Sequence, residues 1–211
     1  MKVFHYSEIG SHDENEDALD VVPHAADSSA LICALADGQG GQPGGAAAAQ
    51  HSVSSCLANA QLFAPRDLLN PFTWVEIGEY VDQTVLHAPE AGYTTFIGLY
   101  VTPSFVVGAS CGDSAIALLT GGQFLLLTEN QYKNPPVGSG AARLTPFAAE
   151  LNGTWKLLVM SDGVWKYAGW DSISKRGLSE TGEMLISNLR NDVVVNSKVV
   201  VDDFTVILIE P

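Results

Sequence analysis

The chain has 211 residues, 46% hydrophobic and 16% charged, with 24 Asp and Glu against 10 Lys and Arg and a formal net charge of −14. That length and apolar content suit one compact domain with its own core and argue against disorder. The acidic balance argues against a nucleic-acid or anionic-membrane partner, since both are held by Lys and Arg.

Taken in chain order, the first six residues lack the apolar run of a signal peptide, and a short strand is expected around residues 19–22. A strand at 30–36 is followed by helices at 44–62 and 73–88, the second carrying Trp74, Ile77, Val81 and Val85 at helical spacing. Four further strands are predicted at 94–101, 104–110, 114–119 and 123–128. The polar, Pro- and Gly-containing stretch 129–153 reads as one long loop, a functional flap. A strand at 155–160, a helix at 178–190 and a last strand at 204–209 complete the chain. Strand and helix do not alternate strictly, so the expected class is α+β, layered on antiparallel sheets. No stretch reaches the roughly 18 apolar residues of a membrane helix. Cys33, Cys56 and Cys111 have no paired spacing, which argues against a disulfide framework or a cysteine zinc site. A single domain over 1–211, cytoplasmic and monomeric, is the expectation.

Three local motifs fail on inspection. Gly108-Ala109-Ser110-Cys111-Gly112 matches a nucleophile elbow, but a strand follows it, and all five histidines (His5, His12, His24, His51 and His87) precede Ser110. The glycine-rich 38–45 lacks both the dinucleotide spacing and the lysine of a P-loop. Residues 13–17 open like a calcium loop, yet Ala18 stands where the glycine is required.

What survives is a set of acidic residues at strand ends. Asp37 follows 30–36, Asp113 follows 104–110, Asp162 follows 155–160, Asp202 and Asp203 precede 204–209, and Glu16 and Asp17 precede the short strand near 19–22. A single aspartate at a strand end is an ordinary turn residue. Several in a chain so poor in charge would repel one another unless cations neutralise them. Oxygen ligands without His or Cys suit Mg²⁺ or Mn²⁺, and a pair of such ions is a device for activating water against a phosphoryl group.

Six segments in one order then carry a resemblance over nearly the whole chain: Asn15-Glu16-Asp17-Ala18, Asp37-Gly38-Gln39-Gly40-Gly41, Tyr93-Thr94-Thr95, Cys111-Gly112-Asp113-Ser114, Ser161-Asp162-Gly163-Val164-Trp165 and Asp202-Asp203-Phe204-Thr205. The chain resembles the PP2C (PPM) family of metal-dependent protein serine/threonine phosphatases, in a compact bacterial form. The resemblance implies a four-layer α-β-β-α sandwich, two antiparallel sheets flanked by helix pairs, with two Mn²⁺ or Mg²⁺ ions at one end. It implies metal ligation by Asp37, the Gly38 carbonyl, Asp162 and Asp202, with Glu16 and Asp17 acting through water and Asp203 structural. Asp37 would position the water that bridges the two ions and attacks phosphorus. The implied substrate is a phosphorylated protein, the product of a Ser/Thr kinase.

Three departures from the family pattern follow. His12 stands where the family has a phosphate-gripping Arg, and an imidazole lacks the planar fork. Gln39 replaces a histidine and cannot act as an acid. Lys166 replaces an aspartate that would share a third metal with Asp113. The alternative is a weakly active or inactive regulatory or binding module of the same fold. Two expectations attach to single residues: Asp203→Asn nearly silent, and His12→Arg a tighter grip on substrate phosphate.

Overall fold

The computed structural model describes all 211 residues. Ten strands and five helices run β1 (Lys2–Glu8), β2 (Asp17–His24), β3 (Asp27–Asp37), α1 (Gly45–Ala60), α2 (Pro71–Leu86), β4 (Phe96–Val101), β5 (Phe105–Cys111), β6 (Ala115–Thr120), β7 (Gln123–Leu126), β8 (Thr145–Glu150), β9 (Trp155–Met160), α3 (Asp162–Ala168), α4 (Trp170–Ser179), α5 (Gly182–Ser197) and β10 (Phe204–Glu210). They form two five-stranded antiparallel sheets, ordered β1-β10-β9-β6-β7 and β2-β3-β4-β5-β8.

The inner strands β4, β5, β6, β9 and β10 look continuously apolar because both faces of each sheet are covered there. Along β3, Ile32, Ala34 and Ala36 face α1 and α2, while Cys33 and Leu35 face the other sheet. Along β10, Ile207 and Ile209 enter the core between the sheets, and Phe204, Val206 and Leu208 pack on the side of α3 and α5. Each fully buried Leu, Ile or Phe contributes about 1.5–3 kcal/mol relative to exposure, so three stacked cores hold the four layers together. One flank is the expected helix pair; the other carries three helices.

Local chemistry sets the helix ends. Asn70 caps α2 by accepting the Phe72 N–H, with Pro71 in the first turn. The helix expected at 178–190 begins later, because Glu180 is extended and Thr181 starts a new helix at Gly182. Leu178 belongs to α4 and is exposed, as is Met184 on α5. Arg176 joins Asp192 and Glu180 and so ties the two helices at this break.

Residues 129–153 are not loop throughout. Residues 145–150 form β8, the edge strand beside β5. The preceding segment crosses from one sheet to the other and is anchored by buried Asp82 of α2. The Asp82 carboxylate accepts the N–H groups of Gly138 at 2.7 Å, Gly140 at 3.1 Å and Ala142 at 3.1 Å. Thr94 and Val137 exchange backbone hydrogen bonds, pinning the segment beside β4. No helix is long and apolar enough to cross a membrane.

Candidate active site

Antiparallel pairing brings the start of β2, the ends of β3, β5 and β9 and the starts of β6 and β10 to one end of the sandwich. A cleft of about 340 Å³ opens there with no hydrophobic residue in its lining. Its walls carry His12, Glu16, Asp37, Gly38, Asp113, Asp162, Asp202 and Asp203, together with Gln39, Thr94, Thr95 and Lys133. Asp17 lies directly behind, opposite Asp37 across the β2–β3 ladder. Every acidic site residue expected from sequence is at this end of the molecule.

The motif residues explain their own placement. Thr94 Oγ1 donates to the Asp37 carbonyl, the Thr95 N–H donates to the same oxygen, and the Asp37 N–H donates to Thr95 Oγ1. The backbone that carries the Asp37 carboxylate is thus held from three directions. Gly163 allows the first turn of α3 to lie against the start of β10, since a Cβ there would sit 2.1 Å from the Asp203 carbonyl oxygen. That approach is what places Asp162 beside Asp202. Trp165 Nε1 donates to the Asp113 carbonyl at 2.9 Å, fixing the β5–β6 turn to α3.

Asp203 is buried and spends both carboxylate oxygens on main chain. Oδ1 accepts the Gly10 N–H at 2.7 Å and Oδ2 the Glu16 N–H at 2.6 Å. Its role as scaffold has a geometric basis, and the same geometry weighs against the expectation that Asn would serve equally. An amide has one acceptor, and its NH₂ would confront a backbone donor.

Charge is poorly balanced in the cleft. Burial, then the charges of Asp17, Asp162, Asp113 and Asp202, push the Asp37 carboxyl well above its ordinary value. Burial likewise raises Asp17 to about 8 and raises Asp162 and Glu16. Three basic side chains answer in part: Lys166 bonds Asp162, Lys133 bonds Asp113 at 2.5 Å, and His12 Nε2 lies 3.4 Å from Asp202 Oδ1. Partial burial opposes charge on Lys166, yet the Asp162 hydrogen bond and the charges of Asp162, Asp113 and Asp202 hold its pKa above ordinary. Asp162 and Lys166 both shift upward, so one ammonium does not neutralise its surroundings.

No three His, Cys, Asp or Glu side chains are gathered as a preformed metal cage. The donor set nonetheless fits hard cations. Both carboxylate oxygens of Asp17 are shut off from solvent and accept no hydrogen bond. The Thr205 and Ser161 hydroxyls lie near enough to offset the burial of Asp17 only in part, and its carboxyl stays raised to about 8. A buried carboxylate without donors is costly unless it is protonated or meets a cation.

Lys133 was missed by sequence reasoning. It enters from the segment after β7, and a lysine between Tyr132 and Asn134 carries no local signal. Hydrogen bonds from the Gly112 N–H to the Tyr132 carbonyl and from Gln131 Nε2 to the Ser114 carbonyl are what bring it to Asp113.

A family model for protein phosphatase 2C matches residues 6–199. No curated protein matches. Among solved structures, a bacterial serine phosphatase superposes with a TM-score of 0.81 at 20% identity, covering 100% of this chain and 97% of that one. The serine/threonine phosphatase Stp1 from Staphylococcus aureus superposes at 0.84 with 20% identity, covering 100% and 94%. RsbX, solved in complex with magnesium, superposes at 0.73 with 16% identity, covering 99% and 94%. At these identities the likeness establishes the fold.

Proposed function

The chain belongs to the protein phosphatase 2C family, and from that premise we propose that it hydrolyses phosphoserine and phosphothreonine in proteins with the help of two Mn²⁺ or Mg²⁺ ions. The observation that carries the metal requirement is the Asp17 carboxylate, unpartnered and out of solvent beside Asp37 in a cleft with an excess of negative charge. Without added cations such a cleft repels a phosphate dianion. Asp37, the Gly38 carbonyl, Asp162 and Asp202 would hold the ions, with Glu16 and Asp17 supporting them. When bound, the ions supply neutralising charge and Lewis-acid activation of water.

The chain's own residues do the rest. Thr94 and Thr95 immobilise the Asp37 backbone, so its carboxylate positions the attacking water without reorganising. Attack in line on phosphorus forms the new P–O bond as the seryl or threonyl oxygen leaves and takes a proton from water. Gln39 contributes only amide hydrogen bonds. His12, exposed at the cleft beside Asp202, is the candidate phosphate grip. The substrates proposed are products of a Ser/Thr kinase.

A competing reading, the same fold retained as a weakly active or inactive module, draws on Lys166, whose ammonium already engages Asp162. Hydrolysis of p-nitrophenyl phosphate and of a phosphothreonine peptide, with Mn²⁺ and with excess chelator, separates the two. The enzyme reading expects turnover that chelation abolishes and that Asp37→Asn lowers by orders of magnitude with the fold intact. Metal-independent or absent turnover overturns it.

A further inference from the structure

The carboxylates of the cleft are not equally free to take a cation. Asp203 is committed to the Gly10 and Glu16 N–H groups. Asp113 is matched by Lys133, which enters from the segment after β7. Asp162 is matched by Lys166 one helical turn further along α3, a pairing set by i,i+4 spacing on a rigid element. Asp37 and Asp17 have no ammonium, and both Asp17 oxygens lack any partner.

We propose that Lys166 is a tethered cation that competes with divalent metal for Asp162, so that the site fills in two unequal steps. The inference rests on the two-metal reading above. An ion at the Asp37–Asp17 end displaces nothing. An ion on either oxygen of Asp162 sits within a few ångströms of the ammonium on Oδ2, and two positive charges so close repel in a partly buried cleft, so the ion binds more weakly there or drives the ammonium off. The tether keeps the ammonium at high local concentration, so it behaves as a permanent competitor. Lys166 lies on the same face of α3 as Asp162, at the solvent side with its side chain 38% exposed, so replacing it disturbs no core. The residue thus sets how much metal the protein needs without being a ligand itself.

Isothermal titration of the full chain with Mn²⁺ tests this without reference to activity. Wild type is expected to show two steps whose Kd values differ by about tenfold or more. Lys166→Gln is expected to tighten the weaker step about tenfold and leave the tighter one unchanged. Lys166→Arg, which keeps the charge, is expected to retain the wild-type isotherm. Near-ultraviolet circular dichroism before each titration confirms the fold of both variants. An unchanged isotherm in Lys166→Gln, or equal tightening in Gln and Arg, overturns the inference while the two-metal reading stands. Absence of Mn²⁺ binding in all three proteins overturns that reading and the inference with it.

Discussion

Asp203 shows how much a single atom type decides in this cleft. Each of its oxygens accepts one backbone N–H, from Gly10 and from Glu16, and Asn can reproduce only one of those bonds. Asp203→Asn should therefore cost about 1–3 kcal/mol, the usual penalty for a buried polar group left unmatched. Urea denaturation is the measurement; a variant within a few tenths of a kcal/mol of wild type would show that the loop 9–16 re-forms around the amide. At His12 it is charge that decides. The imidazole lies beside Asp202 and is exposed, so a guanidinium at the same position would present a permanent, forked donor to a substrate phosphate. His12→Arg should lower KM for a phosphopeptide about tenfold, equivalent to about 1.4 kcal/mol, with kcat nearly unchanged. An unchanged KM would transfer the grip to another cation at the cleft, such as Lys133 in its lining.

Among the elements, the segment between β7 and β8 depends on one side chain of α2. Asp82 Oδ1 serves Gly138 and Gly140, and Oδ2 serves Ala142. Asp82→Ala orphans all three donors and should destabilise the fold by about 3–5 kcal/mol. Asp82→Asn keeps one oxygen able to accept two of them and should cost about half as much. Thermal unfolding of both variants checks the ordering, and equal losses would mean the carboxylate acts by charge alone. This segment also marks the limit of what the sequence discloses. The strands of the buried sheets were legible because two-sided burial makes them short apolar runs, and their acidic ends were legible because the chain is otherwise so poor in charge. β1 was not, since its residues are mostly exposed or half-buried and no core pattern marks them. β8 was hidden for the same reason and by Pro146, tolerated because the strand lies at a sheet edge. Helices α3 and α4 escaped because they bury few side chains and lean on contacts that sequence spacing does not predict, such as the Trp165–Trp170 stack at 5.4 Å.

At the scale of the molecule, the unbalanced cleft makes stability depend on pH in a definite direction. In the metal-free protein Asp17 keeps its proton up to about pH 8, whereas an unfolded aspartate releases it near 3.9. The folded state then binds more protons across that interval, so stability is full below about pH 4 as far as this group is concerned and declines until about pH 8. Burial raises Asp37, Asp162 and Glu16 with the same sign. Glu8 and Asp192, held down by hydrogen bonds from Arg190 and Arg176, work oppositely and lose their contribution only as acid protonates them. In chelator the melting temperature should therefore peak at mildly acidic pH and fall toward pH 8. Added Mn²⁺ should raise it more at pH 8 than at pH 5, since binding competes with protons and stabilises by mass action. Differential scanning calorimetry at several pH values, with and without Mn²⁺, reads both effects; a flat profile in chelator would show that the carboxylates separate enough to ionise freely.

The clasp that Asp203 forms with Gly10 and Glu16 spans 193 and 187 residues of chain, and this gives the site a place in time as well as in space. A polypeptide leaves the ribosome at about 5–20 residues per second, so the residues around Glu16 and Asp17 wait roughly 10–40 s for Asp202 and Asp203 to emerge. Until then the cleft lacks Asp202 and Asp203, and β1 and β9 lack the strand that joins them. A growing or prematurely ended chain can bury much of the sheet that holds Asp37 and still be unable to dephosphorylate anything around it. The candidate site is therefore complete only once the last strand takes its place between β1 and β9.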